Sequence, residues 1–119
     1  MIEWIETGSK KAVGIRISGK IERADMEKII GGVKAKFAQN EKLGVYVELE
    51  SFEGISFEAL IQDLKFGLPN IRRFNKKAVV SQKEWLGKIA EISDRVFPGI
   101  EIRHFPFEQK EEAMEWVKA

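Results

Sequence analysis

The sequence predicts a single α/β domain built on a mostly parallel sheet, and three observations predict it. Short runs that alternate apolar and polar residues, as half-buried strands do, are separated by stretches whose apolar residues recur at three and four, as amphipathic helices require. Strands and helices take turns along the chain, which calls for right-handed crossovers and hence parallel pairing. The 119 residues, 44% hydrophobic and 33% charged, suffice for one core, and no linker-like composition divides them.

The elements follow in order. Ile2 and Trp4 alternate with Glu3 in a short edge strand over 2–6, and Thr7-Gly8-Ser9-Lys10 has turn chemistry. Val13, Ile15 and Ile17 alternate with Gly14, Arg16 and Ser18, so that residues 2–18 form a hairpin ended by Gly19. Met26, Ile29, Ile30, Val33 and Phe37 share one face of a helix over 24–39. Gly31 and Gly32 weaken its middle by about 1 kcal/mol each relative to alanine, and permit a bend or close packing on the sheet. After a turn at 40–44, Val45, Val47 and Leu49 alternate with Tyr46, Glu48 and Glu50 as a strand, and 52–55 is a loop.

From Ser56 the pattern is helical, with Phe57, Leu60, Ile61, Leu64 and Leu68 on one stripe until Pro69 stops it. Residues 76–81 form a short strand. Ser81 and Glu84 have capping-box spacing, and Trp85, Leu86, Ile89, Ile92 and Val96 share a helix face up to Pro98-Gly99. Ile100, Ile102 and His104 alternate in a last strand, and a helix over 107–117 carries Ala113, Met114 and Val117. The predicted architecture is a five-stranded mixed sheet in the order β-β-α-β-α-β-α-β-α, antiparallel only at the N-terminal edge hairpin.

Charge and composition narrow the function. Twenty basic and nineteen acidic side chains leave a net charge of +1. That argues against nucleic acid as a partner, since phosphate neutralisation demands a basic excess. The absence of cysteine removes disulfides, thiolate metal sites and thiol nucleophiles. The acids Glu3 and Glu6 interrupt the first apolar run, unlike a signal peptide, and no stretch approaches the roughly twenty apolar residues of a membrane span. A cytoplasmic protein is expected. His104, the single histidine, cannot make a two-histidine metal site, and in its strand it is expected to be a structural residue. Glu48 and Glu50 share a strand face that alternation assigns to solvent. No phosphate loop, nucleophile elbow or metalloprotease motif is present. Neither enzyme activity nor a cofactor or metal is therefore expected.

The ordered set of segments resembles the SpoIIAA-like proteins, whose fold is shared by STAS domains and by the lipid-carrying CRAL-TRIO domain. The resemblance rests on Ser18-Gly19-Lys20-Ile21 before the helix start at Asp25, on Val45 to Glu50 followed by Phe52-Glu53-Gly54, on Lys77 to Ser81 with Trp85, on Glu101 to Phe105, and on Ala113-x-x-Trp116-Val117. It implies sequential strand order with helices largely on one face. It also implies two functions. Anti-sigma-factor antagonists of the STAS type switch by phosphorylation of a serine at the start of the helix after the Val45–Glu50 strand, in a pattern close to Asp-Ser-Ser-Gly. Ser56 is the nearest hydroxyl here, in Phe52-Glu53-Gly54-Ile55-Ser56-Phe57, and doubles as a good helix N-cap. Other members of the fold are associated with apolar or lipid-like ligands held under movable helices.

Residues 52–77 suit the second implication. The helix stripe uses Phe57, Leu60, Ile61, Leu64 and Leu68, which leaves Phe66, Ile71 and Phe74 as surplus apolar side chains beside Lys65, Arg72, Arg73, Lys76 and Lys77. Aromatics rimmed by cations fit an anionic bilayer surface, an apolar cavity or a partner protein. The leading expectation is a non-catalytic binding module for an apolar or lipid-like ligand, or a peripheral membrane contact at the inner face of the membrane. Residues 56–75 would serve as a lid hinged at Gly54, Gly67 and Pro69. Phe57, Leu60, Leu64, Phe66, Leu68, Ile71 and Phe74 would make the apolar contacts, and Arg72 and Arg73 would meet phosphate or carboxylate. The alternative is a regulatory protein-interaction domain with Ser56 as its phosphosite. A homodimer through the edge hairpin, with Trp4 in its seam, is a third expectation.

Overall fold

In a computed structural model of the chain, residues 1–67, 70, 73–81 and 101–119 are described. Their elements are β1 (Ile2–Ile5), β2 (Ala12–Ile21), α1 (Arg23–Phe37), β3 (Leu43–Ile55), α2 (Phe57–Gly67), β4 (Phe74–Ser81), β5 (Glu101–Phe105), a short 3₁₀ turn (Phe107–Gln109) and α3 (Lys110–Lys118). The helix expected around Trp85, Leu86, Ile89, Ile92 and Val96, and the Glu84 half of its capping box, lie outside the described residues.

The five strands form one sheet in sequential order. β1 pairs antiparallel with β2, and every later pairing is parallel. The predicted mixed sheet with its antiparallel edge is thus the observed one. Alternation sorts the strand side chains onto two faces. Val13, Ile15, Ile17, Leu43, Val45 and Val47 point to one side, where they bury Met26, Val33 and Phe37 of α1 and Ala59 of α2. Ala12, Tyr46, Ala78, Val80 and Phe105 point to the other, against Ala113 and Val117 of α3.

Of the three described α-helices, two lie on one face of the sheet and one on the other. The crossovers through α1 and α2 join neighbouring parallel strands with the same hand, so both helices fall on one side. α3 packs on the opposite side. Gly44 makes room for it, since a Cβ there would lie 2.5 Å from the Val117 carbonyl oxygen.

Two boundaries also differ from expectation. β2 does not end at Gly19, and 52–55 is not a loop, because β3 continues to Ile55 opposite Ile21. The register slips at Ser18/Gly19 and Gly19/Lys20, where Ser51 and Glu53 are extra residues on β3. Gly19 (φ 74°) and Gly54 (φ 119°) take the positive φ values these bulges need. β4 begins at Phe74 rather than at 76, which places Phe74 in the sheet instead of a loop.

Candidate functional site

The junction between β3 and α2 is the first place to look. Ser56 follows the last residue of β3, and its amide donates to the Ile21 carbonyl at 2.9 Å, tying the junction to the end of β2. Its hydroxyl accepts from the Ala59 amide at 3.1 Å, so Ser56 is the N-cap of α2. The side chain is half-buried. Charged groups surround this end of the sheet. Lys20 and Glu22 pair at 3.9 Å, Arg23 and Glu27 at 3.3 Å, and Asp25 accepts from the Glu22 amide at 2.9 Å to open α1. Gln62 of α2 reaches Glu27 at 3.5 Å, linking the two helices beside the junction.

The residues expected to form a lid have definite places. Phe66, in the last turn of α2, and Phe74, at the head of β4, both pack on Phe37 of α1, with ring centroids 6.2 Å and 5.2 Å away; the two are 6.4 Å from each other. Lys34 sits 5.8 Å above the Phe66 ring. Arg73 donates to the carbonyls of Phe37 at 2.7 Å, Asn40 at 2.9 Å and Glu41 at 3.3 Å, closing the C-terminal end of α1, and its guanidinium lies 4.3 Å from the Phe37 ring centre. Asn70 does the same for α2 by donating to the Phe66 carbonyl at 2.8 Å. Phe66 and Phe74 are thus half-buried and packed against the core cluster that holds Phe37, and Arg73 is engaged by backbone. Periodicity missed this because Phe74 is a strand residue and Phe66 serves a neighbouring helix, not its own stripe. The side chains of Phe57, Leu60 and Leu64, and all of Leu68, Ile71 and Arg72, lie outside the described residues.

A second cluster has no counterpart in the sequence reading. Arg16 of β2 stands beside Glu48 of β3 in the parallel ladder. Its Nε donates to the Glu48 carboxylate at 2.8 Å, and Tyr46 donates to the same carboxylate at 2.6 Å. Glu48 is 5% exposed and Tyr46 2% exposed, so the face assigned to solvent is buried here. Glu3 at 3.3 Å and Glu50 at 3.7 Å complete the ring of carboxylates about Arg16. Burial alone would raise the Glu48 carboxyl. The hydrogen bonds from Tyr46 and Arg16, with the positive charges of Arg16 and Lys110, outweigh it and hold that carboxyl below its ordinary range. Burial, then the hydrogen bond to Glu48 and its charge, push the Tyr46 hydroxyl up. Tyr46-Val47-Glu48 was the available signal, since an i, i+2 pair on a strand shares a face.

His104 is half-buried, with Nε2 3.1 Å from the Ser81 carbonyl oxygen, as befits a structural strand histidine. Among the described residues, no group of three or more His, Cys, Asp and Glu side chains is placed to hold a metal ion. No helix among them is long and apolar enough to cross a membrane.

Comparison with known proteins agrees with this architecture. A family model described as SpoIIAA-like matches residues 12–118. The crystal structure of an uncharacterised protein of the DUF3478 family from Shewanella loihica PV-4, with a SpoIIAA-like fold, superposes with a TM-score of 0.81 at 22% identity, covering 98% of this chain and 92% of that one. The anti-sigma factor antagonist SpoIIAA in its unphosphorylated form superposes with a TM-score of 0.63 at 11% identity, covering 97% and 98%. At these identities the likeness is one of fold. No curated protein sequence matches the chain.

Proposed function

The chain belongs to the SpoIIAA-like family, and from that premise we propose that it is a regulatory protein-interaction domain of the anti-sigma-factor-antagonist type, without a reaction of its own. The observation that carries the reading is the place of Ser56. It caps α2 where β3 ends, at the start of the helix whose serine the STAS switch uses, and its side chain is half-buried rather than sealed in the core. A phosphate there would face the free N–H groups and positive dipole end of α2, so the fold tolerates the added charge while the surface beside it changes sign. The Asp-Ser-Ser-Gly pattern is absent, so recognition by a kinase would rest on other residues. The neighbouring pairs Lys20–Glu22 and Arg23–Glu27 supply charges that a partner can read.

The test is in-cell crosslinking of the tagged full chain in its native cells, comparing wild type, Ser56→Ala and Ser56→Asp. Aspartate caps a helix as well as serine, so Ser56→Asp keeps the melting temperature while adding charge. Wild type and Ser56→Ala should retain one near-stoichiometric protein partner, and Ser56→Asp should lose it by at least about tenfold, the effect of about 1.4 kcal/mol. Equal recovery by all three, or no enriched partner, rejects the reading.

A further inference from the structure

The end of the domain opposite Ser56 gathers cations that the fold itself does not use. The Asn40 amide holds the turn between α1 and β3 to the start of β2, donating to the Lys10 carbonyl at 2.7 Å and the Lys36 carbonyl at 3.2 Å. The Gly44 N–H donates to the Lys11 carbonyl at 2.9 Å. Lys10, Lys11, Lys36 and Lys42 thereby surround one turn, with Arg73 bonded to the Asn40 carbonyl at 2.9 Å. Glu41 is the one acid within residues 7–12 and 34–44. Helix ends attract cations, which accounts for two of these: Lys36 lies in the last turn of α1, and Arg73 serves its carbonyls. Lys10, Lys11 and Lys42 have no such task. All three are exposed, and among the described residues their ammonium groups meet no acid and no carbonyl. At the Ser56 end the balance is reversed. Lys20 and Arg23 are paired there with Glu22 and Glu27, and Asp25 and Glu53 stand beside them. The net charge of +1 conceals this separation.

We propose that the turn over 38–42, with Lys10, Lys11 and Lys42, docks an acidic segment of a partner polypeptide. The residue types select the occupant. Phosphate is best met by a forked guanidinium. The arginine of this cluster, Arg73, is occupied by three carbonyls, which leaves ammonium point charges suited to single carboxylates. A bilayer asks for apolar side chains that insert beside the cations. Phe66 and Phe74 pack on Phe37 instead, and the large hydrophobics exposed among the described residues, Met1 and Trp4, lie on β1 opposite Ser18 and Ile15. A nucleic-acid strand asks for an exposed ring on which bases stack, and the ring at this turn, Phe37, is buried beneath Arg73. The contact is independent of Ser56, from which it is separated by the length of β3 (Leu43–Ile55).

Fluorescein-labelled decaglutamate is the probe, and its anisotropy on titration with the full chain is the readout. It should bind at about 20 mM salt and weaken steadily toward about 200 mM, as an exposed charge contact does. Lys10→Gln/Lys11→Gln/Lys42→Gln loses three exposed charge pairs and should bind about tenfold more weakly. Its melting temperature should match wild type, because these side chains hold nothing within the domain. Lys28→Gln/Arg103→Gln/Lys110→Gln removes the same charge elsewhere and should weaken binding by less than about twofold, as should Ser56→Asp. Absence of decaglutamate binding, equal losses in the two triple variants, a tenfold loss in Ser56→Asp, or tighter binding of oligothymidylate or phosphatidylserine vesicles than of decaglutamate overturns the proposal.

Discussion

The Tyr46 hydroxyl donates to the Glu48 carboxylate at 2.6 Å while Arg16 holds the same carboxylate from the neighbouring strand at 2.8 Å. The carboxylate is ionised and satisfied in the folded chain, with its pKa held below the ordinary value of 4.5. In the unfolded chain it titrates near that ordinary value. Its stabilisation is therefore complete above about pH 4.5, shrinks as pH falls toward the folded value, and is gone below it. Glu48→Gln should cost about 1–3 kcal/mol near neutrality, because a charge-assisted bond is lost beside a buried group. Urea unfolding across pH should show the gap between wild type and variant closing on acidification. A gap that is constant with pH would mean that Glu48 contributes by packing alone.

Adjacent glycines in α1 should respond oppositely to alanine. A Cβ on Gly31 meets nothing within 4 Å, whereas one on Gly32 overlaps the Trp4 ring. Gly31→Ala should raise stability by up to about 1 kcal/mol through helix propensity. Gly32→Ala gains the same propensity but displaces the indole, so its net effect should be smaller or negative, and the near-ultraviolet circular dichroism of tryptophan should change in this variant only.

These particulars show what a single sequence discloses. Element order, parallel pairing and the antiparallel edge follow from periodicity, because each strand and helix buries its own face, while the sequential strand order is what the family resemblance implies. What stayed hidden depends on contacts between elements. Phe66 departs from the stripe of α2 because it packs on Phe37 of α1 and Phe74 of β4. Glu48 alternates like a solvent-facing residue because periodicity records position, and only the register with Arg16 shows that the carboxylate is neutralised where it is buried. α3 lies opposite α1 and α2 because Ala113 and Val117 pack on Tyr46, Ala78 and Val80, and nothing in its own residues 110–118 declares which face of the sheet they meet. The Ser56 cap was legible, since serine before an apolar helix stripe has one local role that needs no partner element.

Arg73 should behave as a helix cap. It serves three carbonyls at the end of α1 and covers the Phe37 ring. Arg73→Ala should therefore lower stability by about 1–3 kcal/mol, and Arg73→Lys should recover only part, because an ammonium cannot satisfy three separated acceptors or stack as a planar guanidinium does. Thermal unfolding of the three proteins measures this. An Arg73→Ala variant as stable as wild type would show that these bonds contribute no net stability.

Phe74 provides the sharpest separation between a core and a lid. As a half-buried ring 5.2 Å from Phe37 and 6.4 Å from Phe66, at the first residue of a parallel strand, it closes the junction of α1, α2 and β4. Phe74→Ala removes that ring from both neighbours and opens a gap at the start of β4, at a cost of about 2–4 kcal/mol. Phe74→Leu keeps most of the volume and should cost under about 1.5 kcal/mol. A residue whose task was to touch a ligand would show the reverse pattern, with unchanged chemical unfolding for Phe74→Ala and weakened retention of an apolar probe dye. Measuring both quantities on the same two variants decides between them, because packing moves the unfolding midpoint whether or not a ligand is present.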